Sequence, residues 1–120
     1  MIQRISAITF AVKDMPTALS FYQTFGFTVV YGGPEATFTS LHMGDVYVNL
    51  TLQPDHVPAW WGRVIFHVDD VDALYHAIMM QGLTPADPPR DAPWGERFFH
   101  IIDPDGNELS FAKLLKPSTP

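Results

Sequence analysis

Residues 5–12 alternate between apolar and polar side chains and are rich in β-formers, which predicts a strand. After Asp14 the period changes. Met15, Leu19, Tyr22 and Phe25 recur at helical spacing, Asp14 stands where a cap is needed, and Pro16 falls in the first turn, where a missing N–H costs nothing. Gly26 is the expected helix stop. Three more strands are predicted at 28–31, 36–42 and 46–52, divided by Gly32-Gly33-Pro34 and by Gly44-Asp45.

The second half runs through the same pattern. A strand is predicted at 63–68, a cap at Asp69 or Asp70, and a helix on Val71, Leu74, Tyr75 and Ile78 that stops at Gly82. A proline-rich loop at 85–93 leads to a hairpin, 97–102 and 108–114, around Asp103-Pro104-Asp105-Gly106-Asn107. Residues 116–120 are predicted to fray. The segments starting at Ile8 and Val64 align without a gap at an offset of 56 (64 − 8), which sets Phe10 on Phe66, Val12 on Val68, Asp14 on Asp70, Gly26 on Gly82 and Thr28 on Thr84. One supersecondary unit therefore occurs twice. Each copy reads βαβββ, with the middle strand of the second copy weakly signalled. The expected layout is a single domain, 1–120, with module one at 1–53, a linker at 54–62 and module two at 63–115. Two such modules usually leave a groove between them, and function is expected there.

Composition narrows the classes. The chain has 120 residues, 47 % of them hydrophobic, enough for one domain with a real core. No apolar run is long enough for a membrane helix, and the first residues lack a signal-peptide pattern. The absence of cysteine removes disulfides, thiolate ligands and a cysteine nucleophile, and fits a cytoplasmic location. A net charge of −6 disfavours nucleic acid and suits a neutral or cationic small ligand. There is no serine triad, glycine-rich phosphate loop or basic amphipathic helix, so no catalytic residue is assigned.

The paired βαβββ unit resembles the vicinal oxygen chelate superfamily, which includes glyoxalase I, extradiol dioxygenases and the fosfomycin- and bleomycin-resistance proteins. The resemblance covers nearly the whole chain. It is carried by the strand-Asp-helix start of each module and by the closing segment PWGERFFHIIDPDGNELSF from Pro93 to Phe111, and the Pro93-Trp94-Gly95 run is most similar to the bleomycin-resistance branch. It implies an α+β fold: two tandem βαβββ modules forming a curved, cup-like mixed sheet with the helices outside. It also implies that the positions supplying metal ligands in metal-using members fall on Ala7, Asn49, Arg63 and Ser110. Alanine has no ligating atom, arginine stays protonated, and asparagine and serine are weak ligands, whereas a transition metal wants imidazole, carboxylate or thiolate. This branch and this donor set lead to an expectation of no cofactor and no metal.

Individual residues have competing readings. Trp60, Trp61 and Trp94 lie in predicted loops, where tryptophan either stacks on a ligand or packs beneath the loop and in a dimer contact. Arg63 either clamps an oxyanion or pairs internally with Glu35, Glu96 or Glu108. Phe98 and Phe99 point to opposite faces of one strand; Phe99 is assigned to the groove and the other to the core. His42, His56, His67, His76 and His100 read as surface or hydrogen-bonded strand residues, His67 and His100 with no obvious carboxylate partner, and a non-standard metal site on His42, His67 or His100 is the competing reading. Asp103, Asp105 and Asn107 read as a turn rather than a calcium loop. Met43, Met79 and Met80 read as core filler.

The leading expectation is a metal-independent protein that sequesters a small aromatic or cationic molecule, as the bleomycin-resistance type does. Trp94, Arg63, Trp60, Trp61, Phe99, Asn49 and Ser110 are the candidate ligand-binding residues. The alternatives are a metal-dependent glyoxalase-like lyase, isomerase or dioxygenase using unorthodox ligands, a metal-free enzyme using Arg63, and a domain whose groove is collapsed by side chains and serves dimerisation alone, which a pocket below about 300 Å³ would favour. The resemblance also implies a homodimer.

Overall fold

Two βαβββ units make up the chain in the computed structural model, which describes residues 1–115. The tail predicted to fray lies outside the described residues. The first unit ends at Pro58 and the second begins at Ala59, a division that falls inside the predicted linker.

In the first unit, β1 (Ile8–Val12) leads into α1 (Met15–Thr24), followed by β2 (Thr28–Tyr31), β3 (Phe38–Met43) and β4 (Val46–Leu52). The sheet order is β1-β4-β3-β2, with β1 parallel to β4 and the remaining pairs antiparallel. The first strand starts at Ile8 rather than at residue 5. Ile5 is exposed, so its apolar side chain has no core face to join. Phe10, Val12, Leu41, Val48 and Leu50 cover one sheet face, and Met15, Ala18, Leu19 and Tyr22 of α1 are buried with them. The Phe10 and Tyr22 rings stack at 5.7 Å between centroids. The opposite face of this sheet carries Thr9, Ser40, Asn49 and Thr51, the polar half of the strand alternation.

The second unit repeats the plan with β5 (Arg63–His67), α2 (Val71–Met80), β6 (Arg90–Asp91), β7 (Glu96–Ile102) and β8 (Glu108–Leu114), in the order β5-β8-β7-β6. The weakly signalled middle strand is the two-residue β6. Val71, Ile78, Phe99, Ile101, Leu109 and Phe111 form its interior. Met79 and Met80 are not core filler: both are exposed on α2, and Met43 is half-exposed at the end of β3. Their positions fall off the buried stripe set by Val71 and Ile78.

Both helices are bounded by the same devices. Asp14 accepts from the Thr17 N–H at 3.2 Å and Asp70 from the Ala73 N–H at 3.0 Å, which settles the second cap on Asp70. At the other end, Phe27 N donates to Tyr22 O and Gly26 N to Gln23 O, while Leu83 N donates to Ile78 O and Gly82 N to Met79 O. These are Schellman closures, and they need a residue at positive φ; Gly26 (102°) and Gly82 (93°) provide it. The β7–β8 turn is stapled by Asp103, whose carboxylate accepts from the Asp105 N–H, the Asn107 N–H and the Asn107 side-chain amide.

Candidate functional site

One face of the second sheet is covered by α2; the other holds the site. Alternation along the strands places Arg63, Ile65 and His67 of β5, Ser110 and Ala112 of β8, and Glu96, Phe98 and His100 of β7 on that open face. Arg90, paired with Phe98 through β6, adds its side chain from the sheet edge. Together with Trp94 these residues line a concavity of about 270 Å³, in which His67 takes part only through Glu96.

The wall is aromatic. Trp94 stacks on Phe98 at 5.9 Å with 26° between the planes, Arg90 sits 4.9 Å over the Phe98 ring, and His100 lies 5.0 Å from it. Arg90 is also paired with Asp87. The Trp94 ring is 69 % exposed, so its outer face is open. Two carboxylates organise the polar groups. Glu96 accepts from Trp94 Nε1 at 2.9 Å and faces His67 Nε2 at 3.2 Å. Glu108 accepts from Trp60 Nε1 at 3.0 Å and Arg63 Nε at 2.9 Å, with His100 Nδ1 at 3.8 Å. The Trp60 and Arg63 hydrogen bonds hold the Glu108 carboxyl below its usual range. Burial pushes the His100 imidazole down, and the Arg63 charge acts in the same direction.

Of the residues singled out from sequence, Arg63, Ser110 and Trp94 meet at this concavity. Arg63 carries the internal pair with Glu108, one of its three anticipated partners. Trp60 and Trp61 lie beside the site rather than in its lining. Their indole N–H groups are anchored on Glu108 and on the Asn107 amide oxygen (2.8 Å), and their rings are largely exposed. Asn49 belongs to the first unit, where it donates to the Thr9 hydroxyl at 3.3 Å.

Phe99 is the correction. It is fully buried, 5.5 Å from both the Tyr75 and Phe111 rings on the helix side of the sheet, and Phe98 points to the other face, where it lines the concavity but is itself buried against Trp94 and Arg90. A five-residue turn centred on Asp105 pairs Ser110 with His100 and Phe111 with Phe99, which fixes the parity of β7. The same parity brings Glu96 to the site, a residue overlooked in the sequence except as a partner for Arg63. His67 and His100 do have carboxylate neighbours, Glu96 and Glu108.

As metal ligands these side chains do not fit. Arg63 is a permanent cation and Ser110 a neutral hydroxyl, and among the described residues no three of His, Cys, Asp or Glu converge as a ligand set. No described helix is long and apolar enough to cross a membrane.

Comparison with known proteins agrees with the architecture. The bleomycin resistance proteins of Geobacillus stearothermophilus and Staphylococcus aureus are each 31 % identical to the chain over an alignment 135 positions long, gaps included, covering 97 % of it and 99 % of the relative. A bleomycin-binding protein solved in complex with bleomycin superposes with a TM-score of 0.78 at 23 % identity, covering 92 % of this chain and 98 % of that one. The bleomycin resistance determinant encoded on transposon Tn5 superposes with a TM-score of 0.79 at 22 % identity, with the same coverage. Residues 4–111 match the family described as the Glyoxalase/Bleomycin resistance protein/Dioxygenase superfamily, and the chain belongs to that family.

Proposed function

We propose that this protein binds a small planar aromatic or cationic molecule, holds it without a metal and without transforming it, and does so as a homodimer. The observation that carries the reading is the Trp94–Phe98 stack beside the Glu96 carboxylate. An exposed indole face, fixed in orientation by its own N–H bond, offers a stacking surface that loses little freedom on binding. Glu96 is bonded by an indole and an imidazole, neither of them an obligate cation, so its negative charge remains available to a cationic ligand. A volume of about 270 Å³ lies just below the range of ligand cavities, roughly 300–1,000 Å³, and limits the ligand to one or two fused rings. The relatives named for bleomycin resistance support a sequestering role.

The test combines titration and mass spectrometry. N-Methylquinolinium, a planar cation of two fused rings, is expected to quench tryptophan fluorescence and to be recovered unchanged. Zn²⁺, Ni²⁺, Mn²⁺ or Fe²⁺ is expected to leave the melting temperature where it was, because no site couples metal to folding. A shift of several degrees with stoichiometric metal, or a chemically altered probe, overturns the reading. Native mass spectrometry reads the bound ligand and the expected dimer in one measurement.

A further inference from the structure

The open face of the second sheet has two unlike ends. Glu96, Phe98 and His100 share one side of β7, and at about 3.3 Å per residue Glu96 and His100 stand about 13 Å apart along the strand. His100 and Arg63 meet at the Glu108 carboxylate, so Arg63 marks the His100 end. Glu96, with His67 and Trp94 bonded to it, marks the other. Between them the exposed floor is Ile65; Ala112 and Phe98 are buried, and the Arg90 guanidinium lies 4.9 Å over the Phe98 ring.

The two ends offer opposite hydrogen-bonding chemistry. Arg63 uses only Nε on Glu108, and among the described residues its Nη1 and Nη2 groups meet no acceptor. Those two groups carry four N–H donors in a planar fork, the geometry that suits a carboxylate or a carbonyl oxygen. His100, kept neutral by burial and by Arg63, adds no competing charge there. At the far end each Glu96 oxygen accepts one hydrogen bond and keeps a second lone-pair site. Net charge alone suggests a cation; the face itself asks for more.

Resting on the reading of this cavity as an aromatic-ligand site, the geometry points to a dipolar aromatic ligand: a protonated nitrogen at Glu96 and a carboxylate at Arg63, joined by a planar ring over Ile65 and beside the exposed Trp94 indole. Glu108 partly balances Arg63, so the guanidinium acts on the ligand mainly through directed N–H bonds, and Glu96 supplies the charge that selects the nitrogen.

Three probes test this on the unaltered protein by calorimetry: benzamidine, benzoate and 4-amidinobenzoate, which carries both groups para on one ring. The doubly substituted probe is expected to bind about tenfold more tightly than either single one, a gain of about 1.4 kcal/mol. In Glu96→Gln its advantage over benzoate is expected to vanish while benzoate affinity stays within about twofold, with the melting curve showing that the variant is folded. Benzamidine binding as tightly as 4-amidinobenzoate overturns this inference and leaves the aromatic site standing. Failure of all three to bind overturns both.

Discussion

Arg97 grips Asp72 through two parallel hydrogen bonds, from Nε at 2.7 Å and from Nη2 at 2.8 Å, and its Nη1 reaches Asp91 at 3.0 Å. One guanidinium thus ties β7 to α2 and to β6, on the face of the sheet opposite the site. The bond to Arg97 lowers the Asp72 carboxyl pKa below its usual value of 3.8. A depressed acid stabilises the fold above the unfolded value and loses that contribution as pH falls through the folded one. Arg97→Met is expected to lower the melting temperature by a few degrees at pH 7, because the groups are partly exposed, and to have a smaller effect at a pH below 3.8. Paired melts of the two proteins at the two pH values check it.

Phe99 serves stability and not binding. Phe99→Ala opens a cavity between Tyr75 and Phe111 in a fully buried position and is expected to destabilise by about 3–5 kcal/mol in urea unfolding. Wherever that variant remains folded, its affinity for a planar probe should match the parent protein, since the side chain never reaches the open face.

Trp94 behaves in the opposite way. Its side chain is 69 % exposed, so Trp94→Ala is expected to cost only the stack on Phe98 and the exposed hydrogen bond to Glu96, about 1–3 kcal/mol together, while probe affinity falls about tenfold or more. Trp94→Phe retains an aromatic face and removes the N–H bond to Glu96, so an intermediate loss is expected. Fluorescence titration for the parent and calorimetry for the variants measure both effects.

His100 gives the fold a pH response in a different window. Its pKa is depressed below 6.5 by burial and by Arg63, so just below 6.5 the unfolded chain binds a proton that the folded chain does not. Stability from this group is therefore complete above 6.5 and declines as pH falls toward the folded value. Glu108 adds its own decline only below 4.5. His100→Gln is expected to flatten the difference in melting temperature between pH 7.5 and pH 5.5 relative to the parent; an unchanged difference would remove His100 from the account.

The repeat was legible because local chemistry writes it. Asp14 and Asp70 cap, Gly26 and Gly82 close, and the intervening periods fix α1 and α2, all through bonds that span five residues or fewer. Such short-range devices leave their signature in one stretch of chain. The strand-turn parity was also written there, in the symmetry of the Asp103–Asn107 turn, and following it from Ser110 selects Phe98 over Phe99. The ends of β1 and β3 were less legible, since a strand stops where its neighbour stops, not where its own β-formers run out.

What the sequence determined by itself was therefore the two βαβββ units, their caps, and three of the residues that meet at the concavity: Arg63, Ser110 and Trp94. Only the tertiary structure decided that Glu108 gathers Trp60, Arg63 and His100, and that Glu96 gathers Trp94 and His67. Those partners lie as much as 48 residues apart in the chain. Their meeting is set by the pairing of β5 with β8 and of β8 with β7, a register fixed by burying one whole face of the sheet under α2.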